Sequence, residues 1–307
     1  MPGTLFLVAT PIGNLGDMTP RAVQTLAEAD LIAAEDTRRT LQLLNHFSVK
    51  GKLIHYDENN KEKQGAVLLQ ELQQGKNIAL VTDAGFPGIS DPGEAMAKLA
   101  IANGVTVVPI PGANACLTAL VASGLPSTPF FFGAFLPKSK KNRKEQLEKW
   151  KWIPATIVLY EAPHRIVEVL EEILAVWGDR QMAFGRELTK LHEEFWRGSI
   201  SLAIAYLKEN PPRGEFVLVI AQAEETAARY DGRAGDLFIA DSPNVSYQPN
   251  ASGDMVHNNI VKDPLEAVKE KIAAGVPKKE ALSEIAKQFK IPKRDLYNRL
   301  IQEQEKE

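Results

Sequence analysis

The segment from Asn77 to Gly93 constrains this chain more than any other. Ile78-Ala-Leu-Val81 is a fully apolar run of strand length, as expected of a strand buried on both faces. Thr82-Asp83 ends it. Gly85, Pro87, Gly88, Asp91, Pro92 and Gly93 then follow before a helical pattern opens at Glu94. Glycines at the carboxyl end of a parallel strand let the backbone approach a ligand closely, and open α/β sheets bind ligands along that edge. Asp91-Pro92 has the chemistry of a helix N-cap and first helical residue. The same features would serve a tight strand-to-helix loop that binds nothing. The spacing is neither that of GxGxxG nor that of a Walker loop, and no acid is spaced as a ribose partner.

The residues around this segment repeat its pattern. Leu5–Val8 is an apolar run that ends at Thr10-Pro-Ile-Gly13. Thr19-Pro20 caps a helix with Ala22, Val23, Leu26 and Ala27 on its apolar face. Leu31–Ala34 is a second buried strand, closed by Glu35-Asp36-Thr-Arg38, and Lys52–His55 a third. Helices over Gly65–Gln74 and Glu94–Asn103 stop at Gly75 and Gly104, and Val105–Pro109 completes the set. Apolar strands alternating with helices predict an N-terminal α/β domain over residues 1–111, a parallel sheet covered on both faces.

A second α/β domain is expected over 112–222. It holds a helix of small residues at Ala115–Ala122, strands at Phe130–Phe132, Thr156–Tyr160, Met182–Gly185 and Phe216–Ile220, and a helix at Ile166–Val176. Residues 223–262, rich in Ser, Asn, Pro, Gly and Asp, read as an irregular linker. Residues 263–307 read as a small helix-turn-helix-like module with helices at Leu265–Ala273, Lys278–Phe289 and Lys293–Ile301. A length of 307 residues accommodates two domains and a small third.

Charge and cysteine content exclude several classes. A net charge of −3 makes the whole molecule no electrostatic magnet for nucleic acid, so any such affinity must come from local patches. The one cysteine, Cys116, lies in a small-residue helix and reads as a buried thiol; it permits neither a disulfide framework nor a multi-cysteine metal site. The histidines show no ligand spacing, so no metal is expected. The chain has no long apolar run and begins directly with a strand, which predicts a cytoplasmic protein without a membrane segment.

Four loops fall at the carboxyl ends of predicted strands: Thr10–Asp17, Glu35–Arg39, Thr82–Gly93 and Tyr160–Arg165. Loops along one sheet edge converge, so their polar residues can line one cleft. A strand-end carboxylate can equally cap the next helix, but acids, amides, glycines and an arginine recur across the set.

These same residues carry a resemblance. Ala9-Thr-Pro-Ile-Gly-Asn-Leu-Gly-Asp-Met-Thr-Pro-Arg21 is similar to the signature of the bacterial 16S ribosomal RNA 2′-O-ribose cytidine methyltransferases, the small-subunit methyltransferase I family. Glu35–Arg38, Asp83–Gly93, Pro111–Asn114, Ser123–Pro126, Tyr160–Arg165 and Arg186–Lys190 resemble that family in the same order, over roughly residues 4–222. The resemblance implies the tetrapyrrole methylase fold: two α/β domains with S-adenosylmethionine bound in the cleft between them. It also implies a homodimer, and a cytidine of the small ribosomal subunit RNA as acceptor.

By position in that pattern, Asp83, Ala84, Gly85, Phe86, Ala113, Asn114 and Tyr160 are expected to cradle the donor, with Pro11 and Gly13 lining the same cleft. Removing the acceptor proton is a task for a general base. The candidates are Glu35, Asp36, Glu161, His164 and Glu187, with Lys190 if its pKa is lowered; the residues do not choose among them. Arg38, Arg165 and Arg186 are able either to bind phosphates or to brace carboxylates. The run Lys138-Ser-Lys140-Lys141-Asn-Arg143-Lys144 follows the loop-like Gly133–Pro137 and is the strongest basic patch, either an RNA contact or a solvated loop. Lys278, Lys279, Lys287, Lys290, Lys293, Arg294 and Arg299 give the C-terminal module a slight basic character, suited to RNA docking or to packing alone. Two other readings remain: a tetrapyrrole methylase on the same fold, and a non-catalytic RNA-binding assembly factor.

Overall fold

The computed structural model describes residues 1–223, 244–249, 255–261, 264–273 and 276–288, with Lys293, Arg294, Leu296 and Tyr297. The chain divides into two compact units, Met1–Phe238 and Ile239–Glu307.

The first unit holds two five-stranded sheets. In the first, β1 (Thr4–Val8), β2 (Leu31–Ala34), β3 (Leu53–His55), β4 (Ile78–Val81) and β5 (Thr106–Ile110) lie in the order β3-β2-β4-β1-β5, and every neighbouring pair is parallel. β2 and β4 are buried at every position, as an all-parallel sheet covered on both faces requires. Successive side chains serve opposite cores. Ile78 and Leu80 pack with Leu68, Leu72 and Met96 of helices α3 (Lys61–Gln73) and α4 (Gly93–Ala102). Ala79 and Val81 pack with Ala22, Leu26 and Leu44 of α1 (Pro20–Glu28) and α2 (Thr37–His46). Each buried Leu or Ile contributes about 1.5–3 kcal/mol. The helix expected from Gly65 begins at Lys61 instead; Gly65 is a buried position within it, not a boundary.

The second sheet, in the order β6-β7-β10-β8-β9, comprises β6 (Phe130–Phe135), β7 (Thr156–Glu161), β8 (Gln181–Arg186), β9 (Glu194–Ser199) and β10 (Phe216–Ile220). β6 and β7 run parallel and the remaining pairs antiparallel. Helices α6 (Lys140–Trp150), α7 (Ile166–Trp177) and α8 (Ile200–Glu209) cover one face, and α5 (Ala115–Ala122) the other.

Two local expectations change here. The segment read as the loop Gly133–Pro137 begins as strand, because β6 continues to Phe135 across a register shift between Phe132 and Ala134. The basic run from Lys140 is the first turn of α6, not an exposed loop. The buried positions of α6 are Arg143 and Leu147, so its inner face carries a charge where an apolar period would have announced a helix. β9, absent from the sequence reading, is half-buried throughout and shows no clean alternation.

The second unit contains an antiparallel pair, Asn244–Pro249 with Met255–Val261. This falls within the stretch read as irregular linker, where asparagines and serines among the apolar residues mask the period of two. Residues 224–243 of that stretch lie outside the described residues. Helices Pro264–Ala273 and Lys278–Gln288 follow, with Val268, Ala281, Leu282, Ile285 and Leu296 forming a small core. Lys293 Nζ donates to Lys279 O at 2.9 Å and to Ser283 Oγ at 2.7 Å, so this lysine packs the module together. Lys290 and Arg299 lie outside the described residues. Among the described residues no helix is long and apolar enough to cross a membrane.

Candidate active site

The loops leaving β1 and β4 are stitched together. Thr10 N–H donates to Gly85 O at 2.9 Å and Gly85 N–H returns to Thr10 O at 3.1 Å. Gly85 has φ +84°, which glycine adopts without the strain another residue would carry. Asp91 organises the rest of the loop: its carboxylate accepts N–H groups from Gly88 (2.8 Å), Ile89 (3.2 Å) and Gly93 (2.7 Å). Its sequence-predicted capping chemistry therefore works on the loop and the helix start together.

A cleft of two joined lobes opens along this edge. The larger, about 530 Å³, includes Glu35, Asp83, Ala84, Gly85, Phe86, Asn114, Tyr160 and Glu161 in its lining. The smaller, about 350 Å³, includes Thr10, Pro11, Gly13, Arg39, Gln42 and Lys190. Ile12, Thr82, Asp83, Ala84 and Glu215 line both. The first lobe lies in the size range of small-molecule sites.

The carboxyl groups of the larger lobe stand in different surroundings. Glu35 Oε2 accepts the Thr82 hydroxyl at 2.9 Å. Asp83 Oδ1 accepts Asp36 N–H at 3.1 Å, and Arg39 Nη1 donates to Oδ2 at 2.9 Å. Glu161 is buried, its side chain 1% exposed. Burial raises its pKa against the opposing pull of the Ala162 N–H and the Arg165, Arg143 and His164 charges. Its Oε1 accepts Ala162 N–H at 2.9 Å, while its Oε2 has no partner among the described residues. A buried oxygen of this kind is costly unless something donates to it. Next to it, burial pushes the Tyr160 phenol up to about 12, so it stays a neutral hydroxyl; its oxygen accepts Cys116 N–H at 3.2 Å. Cys116 is likewise pushed up by burial, to about 11, and is an inert thiol.

The second sheet contributes the loop after β8. Glu187 (φ 48°) and Thr189 (φ 66°) both sit in the left-handed region, which is uncommon for side chains of this kind and concentrates at functional sites. The loop is held down by Glu187 N–H on Glu215 O (2.9 Å), Glu215 N–H on Glu187 Oε1 (2.9 Å) and Thr189 N–H on Glu193 Oε1 (2.8 Å). Lys190 Nζ lies 2.9 Å from both Glu187 Oε1 and Glu215 Oε2. The Thr10–Asp17 loop packs directly on it: a Cβ at Gly13 would stand 2.4 Å from Lys190 Cγ.

The structure sorts the sequence-predicted residues. Of the donor set, Asp83, Ala84, Gly85, Phe86, Asn114 and Tyr160 line the larger lobe, Pro11 and Gly13 the smaller, and Ala113 stands behind Gly85 without lining either. Of the proposed bases, Glu35 and Glu161 line the larger lobe and Lys190 the smaller, while Asp36, His164 and Glu187 line neither. Asp36 caps α2 and pairs with Arg38, whose hydrogen bonds hold its carboxyl down at about 2. Lys190 would need a lowered pKa to act as a base; burial disfavours its charge, but the hydrogen bonds it donates to Glu215 and Glu187 outweigh that and raise its pKa.

Most of the arginines are braces. Arg143 is withdrawn from the phosphate-binding set: it is buried, with Nε 2.6 Å from Glu172 Oε2 and Nη2 2.9 Å from Glu168 Oε1, where it ties α6 to α7. Arg165 donates to Leu136 O (3.2 Å) beside Glu161, and Arg186 to Arg213 O (2.8 Å) and Glu194 (3.0 Å). Arg38 is exposed but paired with Asp36 at 3.1 Å. Lys138, Lys140, Lys141 and Lys144 are exposed. Arg39 and Thr82, from two of the four expected loops, line the cleft as well, and so does Glu215, which the sequence does not mark. Among the described residues no group of three or more His, Cys, Asp or Glu is arranged to hold a metal ion.

Comparison with known proteins gives concordant results. The model for Tetrapyrrole (Corrin/Porphyrin) Methylases matches residues 4–203. Proteins named ribosomal RNA small subunit methyltransferase I are similar over 96% of this chain: one from Halalkalibacterium halodurans is 45% identical with 94% of its length covered, and one from Bacillus subtilis is 43% identical with 93% covered. One from Synechocystis is also 43% identical, with 96% covered. Among solved structures, diphthine synthase superposes with a TM-score of 0.55 at 16% identity, covering 74% of this chain and 94% of that one. Uroporphyrin-III C-methyltransferase from Thermus thermophilus, complexed with S-adenyl homocysteine, gives 0.51 at 18% identity, covering 74% of this chain and all of that one. At these identities the likeness is one of fold.

Proposed function

The chain belongs to the tetrapyrrole methylase superfamily and, within it, to the ribosomal RNA small subunit methyltransferase I family, and from that premise we propose that it methylates the ribose 2′-hydroxyl of a cytidine in 16S ribosomal RNA with S-adenosylmethionine as donor. The observation that carries the reading is the larger lobe. Among the described residues its lining holds five carboxyl groups, Glu35, Asp83, Asp91, Glu161 and Glu215, and no lysine or arginine. A lobe of that character suits a cationic ligand, and the unpartnered Glu161 Oε2 is an acceptor awaiting a donor. These residues fit the donor.

When bound, S-adenosylmethionine supplies a methyl group on a positively charged sulfur, already activated for displacement. The protein's part is positioning and handling one proton. Gly85 and Phe86 offer backbone at close range, and Tyr160 offers a neutral hydroxyl. Asp83 and Glu215 line both lobes, so they are the carboxylates within reach of an acceptor that enters from the smaller lobe. One of them takes the hydroxyl proton. Lys190, charged and held against Glu215, offsets negative charge that develops on the acceptor oxygen.

Substrate docking extends beyond the cleft, because a nucleotide within a ribosomal subunit is held by phosphate contacts around it. Lys140 and Lys141 occupy the first turn of α6, where cations oppose the helix dipole. Such placement makes sense as a phosphate contact shared with Lys138 and Lys144. The protein acts in the cytoplasm, as a homodimer. Exposed Leu117 and Val121, one turn apart on α5, offer apolar surface for the pairing.

The test is transfer of tritium from methyl-labelled S-adenosylmethionine to undermethylated small subunits. Label in the RNA is expected. Donor binding without transfer would leave an RNA-binding assembly factor, and label appearing only in a tetrapyrrole would leave the other methylase reading.

A further inference from the structure

We propose that the smaller lobe seats the acceptor nucleotide, with the Arg39 guanidinium on the phosphate that flanks the reacting ribose. The inference rests on the ribose methyltransferase reading above and adds to it the place and the contact.

The two lobes divide by charge. Among the described residues the larger is lined by five acids and no lysine or arginine, whereas the smaller sets Arg39 and Lys190 beside Asp83 and Glu215. A cationic donor and an anionic nucleotide are therefore directed to different lobes of one cleft. Ile12, Thr82, Asp83, Ala84 and Glu215 belong to both lobes. In-line displacement needs the donor and the acceptor oxygen on opposite sides of the transferred group, which two adjoining lobes with common lining residues allow.

The size agrees. About 350 Å³ lies at the low end of ligand cavities, about 300–1,000 Å³, and suits one nucleotide better than a tetrapyrrole macrocycle. Leu15, Leu43 and Pro11 add apolar surface for the sugar and base, and Gln42 an amide.

Arg39 is placed for a phosphate. Among the described residues its side chain spends Nη1 on Asp83 and makes no other hydrogen bond, and it is 68% exposed. A guanidinium presents several donors in a fixed plane, so the Asp83 contact fixes its orientation and leaves the rest available for phosphate oxygens. Lys190, by contrast, has both its carboxylate partners in place.

The experiment compares the parent with Arg39→Gln, and with Lys98→Gln as a control that removes a cation from the surface of α4. Methyl transfer to undermethylated subunits is measured across a salt series, together with affinity for S-adenosylhomocysteine. Arg39→Gln is expected to lower kcat/KM by about 10- to 100-fold. It should flatten the slope of log kcat/KM against log salt by about 0.7–0.9, the signature of one lost phosphate contact. Donor-side affinity should stay within about twofold, and Lys98→Gln should match the parent throughout. Unchanged activity, a loss with the parent's salt slope, or a loss matched by the control overturns the proposal. A parent that labels no RNA overturns the functional reading itself, and the inference with it.

Discussion

Arg39 Nη1 lies 2.9 Å from Asp83 Oδ2, and this ion pair joins the first turn of α2 to the glycine-rich loop after β4. Asp83 Oδ1 meanwhile accepts Asp36 N–H at 3.1 Å. One carboxylate thus fixes the junction of the two lobes.

Replacing Asp83 by Ala removes both contacts and one of the two acids that line both lobes. Donor affinity is expected to fall about 3- to 10-fold, because a carboxylate that lines the larger lobe is lost. Turnover should fall further than affinity. Calorimetry with S-adenosylhomocysteine, set beside the rate on subunits, separates the two; a variant with parental values for both contradicts the placement of Asp83.

Glu161 gives a pH dependence whose sign is fixed. Its pKa is raised in the folded chain, so between the ordinary value of 4.5 and the raised one the native state holds a proton that the unfolded state has released. Stability from this carboxyl is complete below 4.5 and falls as pH rises through the raised value. Glu161→Gln does not titrate. Relative to the parent it should gain stability between about pH 4 and about pH 8, by about 1.4 kcal/mol for each unit of raised pKa. Urea midpoints at the two pH values report this; a constant difference between variant and parent rules it out.

Arg143→Ala should destabilise the fold by about 3–5 kcal/mol, because Glu172 and Glu168 lose the buried cation that neutralises them. Thermal or denaturant unfolding measures the loss. A change under about 1 kcal/mol would show the triad to be dispensable.

Charge reversal at Lys138, Lys141 and Lys144, which leaves the Lys140–Glu172 pair in place, should act on RNA alone. The expected result is a higher KM for subunits, a shallower salt dependence and unchanged donor affinity. Parental KM at every salt concentration would assign these lysines to solvent.

The layout of the cleft was legible wherever backbone chemistry and strand ends define it. The apolar runs of β1, β2 and β4 mark the sheet, and Gly85 and Asn114 line the larger lobe at its edge. What escaped depends on contacts between distant segments. Arg38 and Arg39 are equivalent as letters, yet helix geometry sends Arg38 back to Asp36 and Arg39 across to Asp83. Glu215 precedes an apolar strand with nothing to mark it, and only the packing of β10 beside β8 brings it to Lys190. Arg143 looked like part of a basic patch because a buried ion pair and a surface charge read identically in sequence.

The central claim is tested most directly by the identity of the methylated nucleoside. Undermethylated small subunits are incubated with the protein and donor, and the RNA is digested and analysed by mass spectrometry. The account predicts 2′-O-methylcytidine at a single site. A methyl group on a base, on another nucleoside's ribose, or on no nucleoside at all would contradict it.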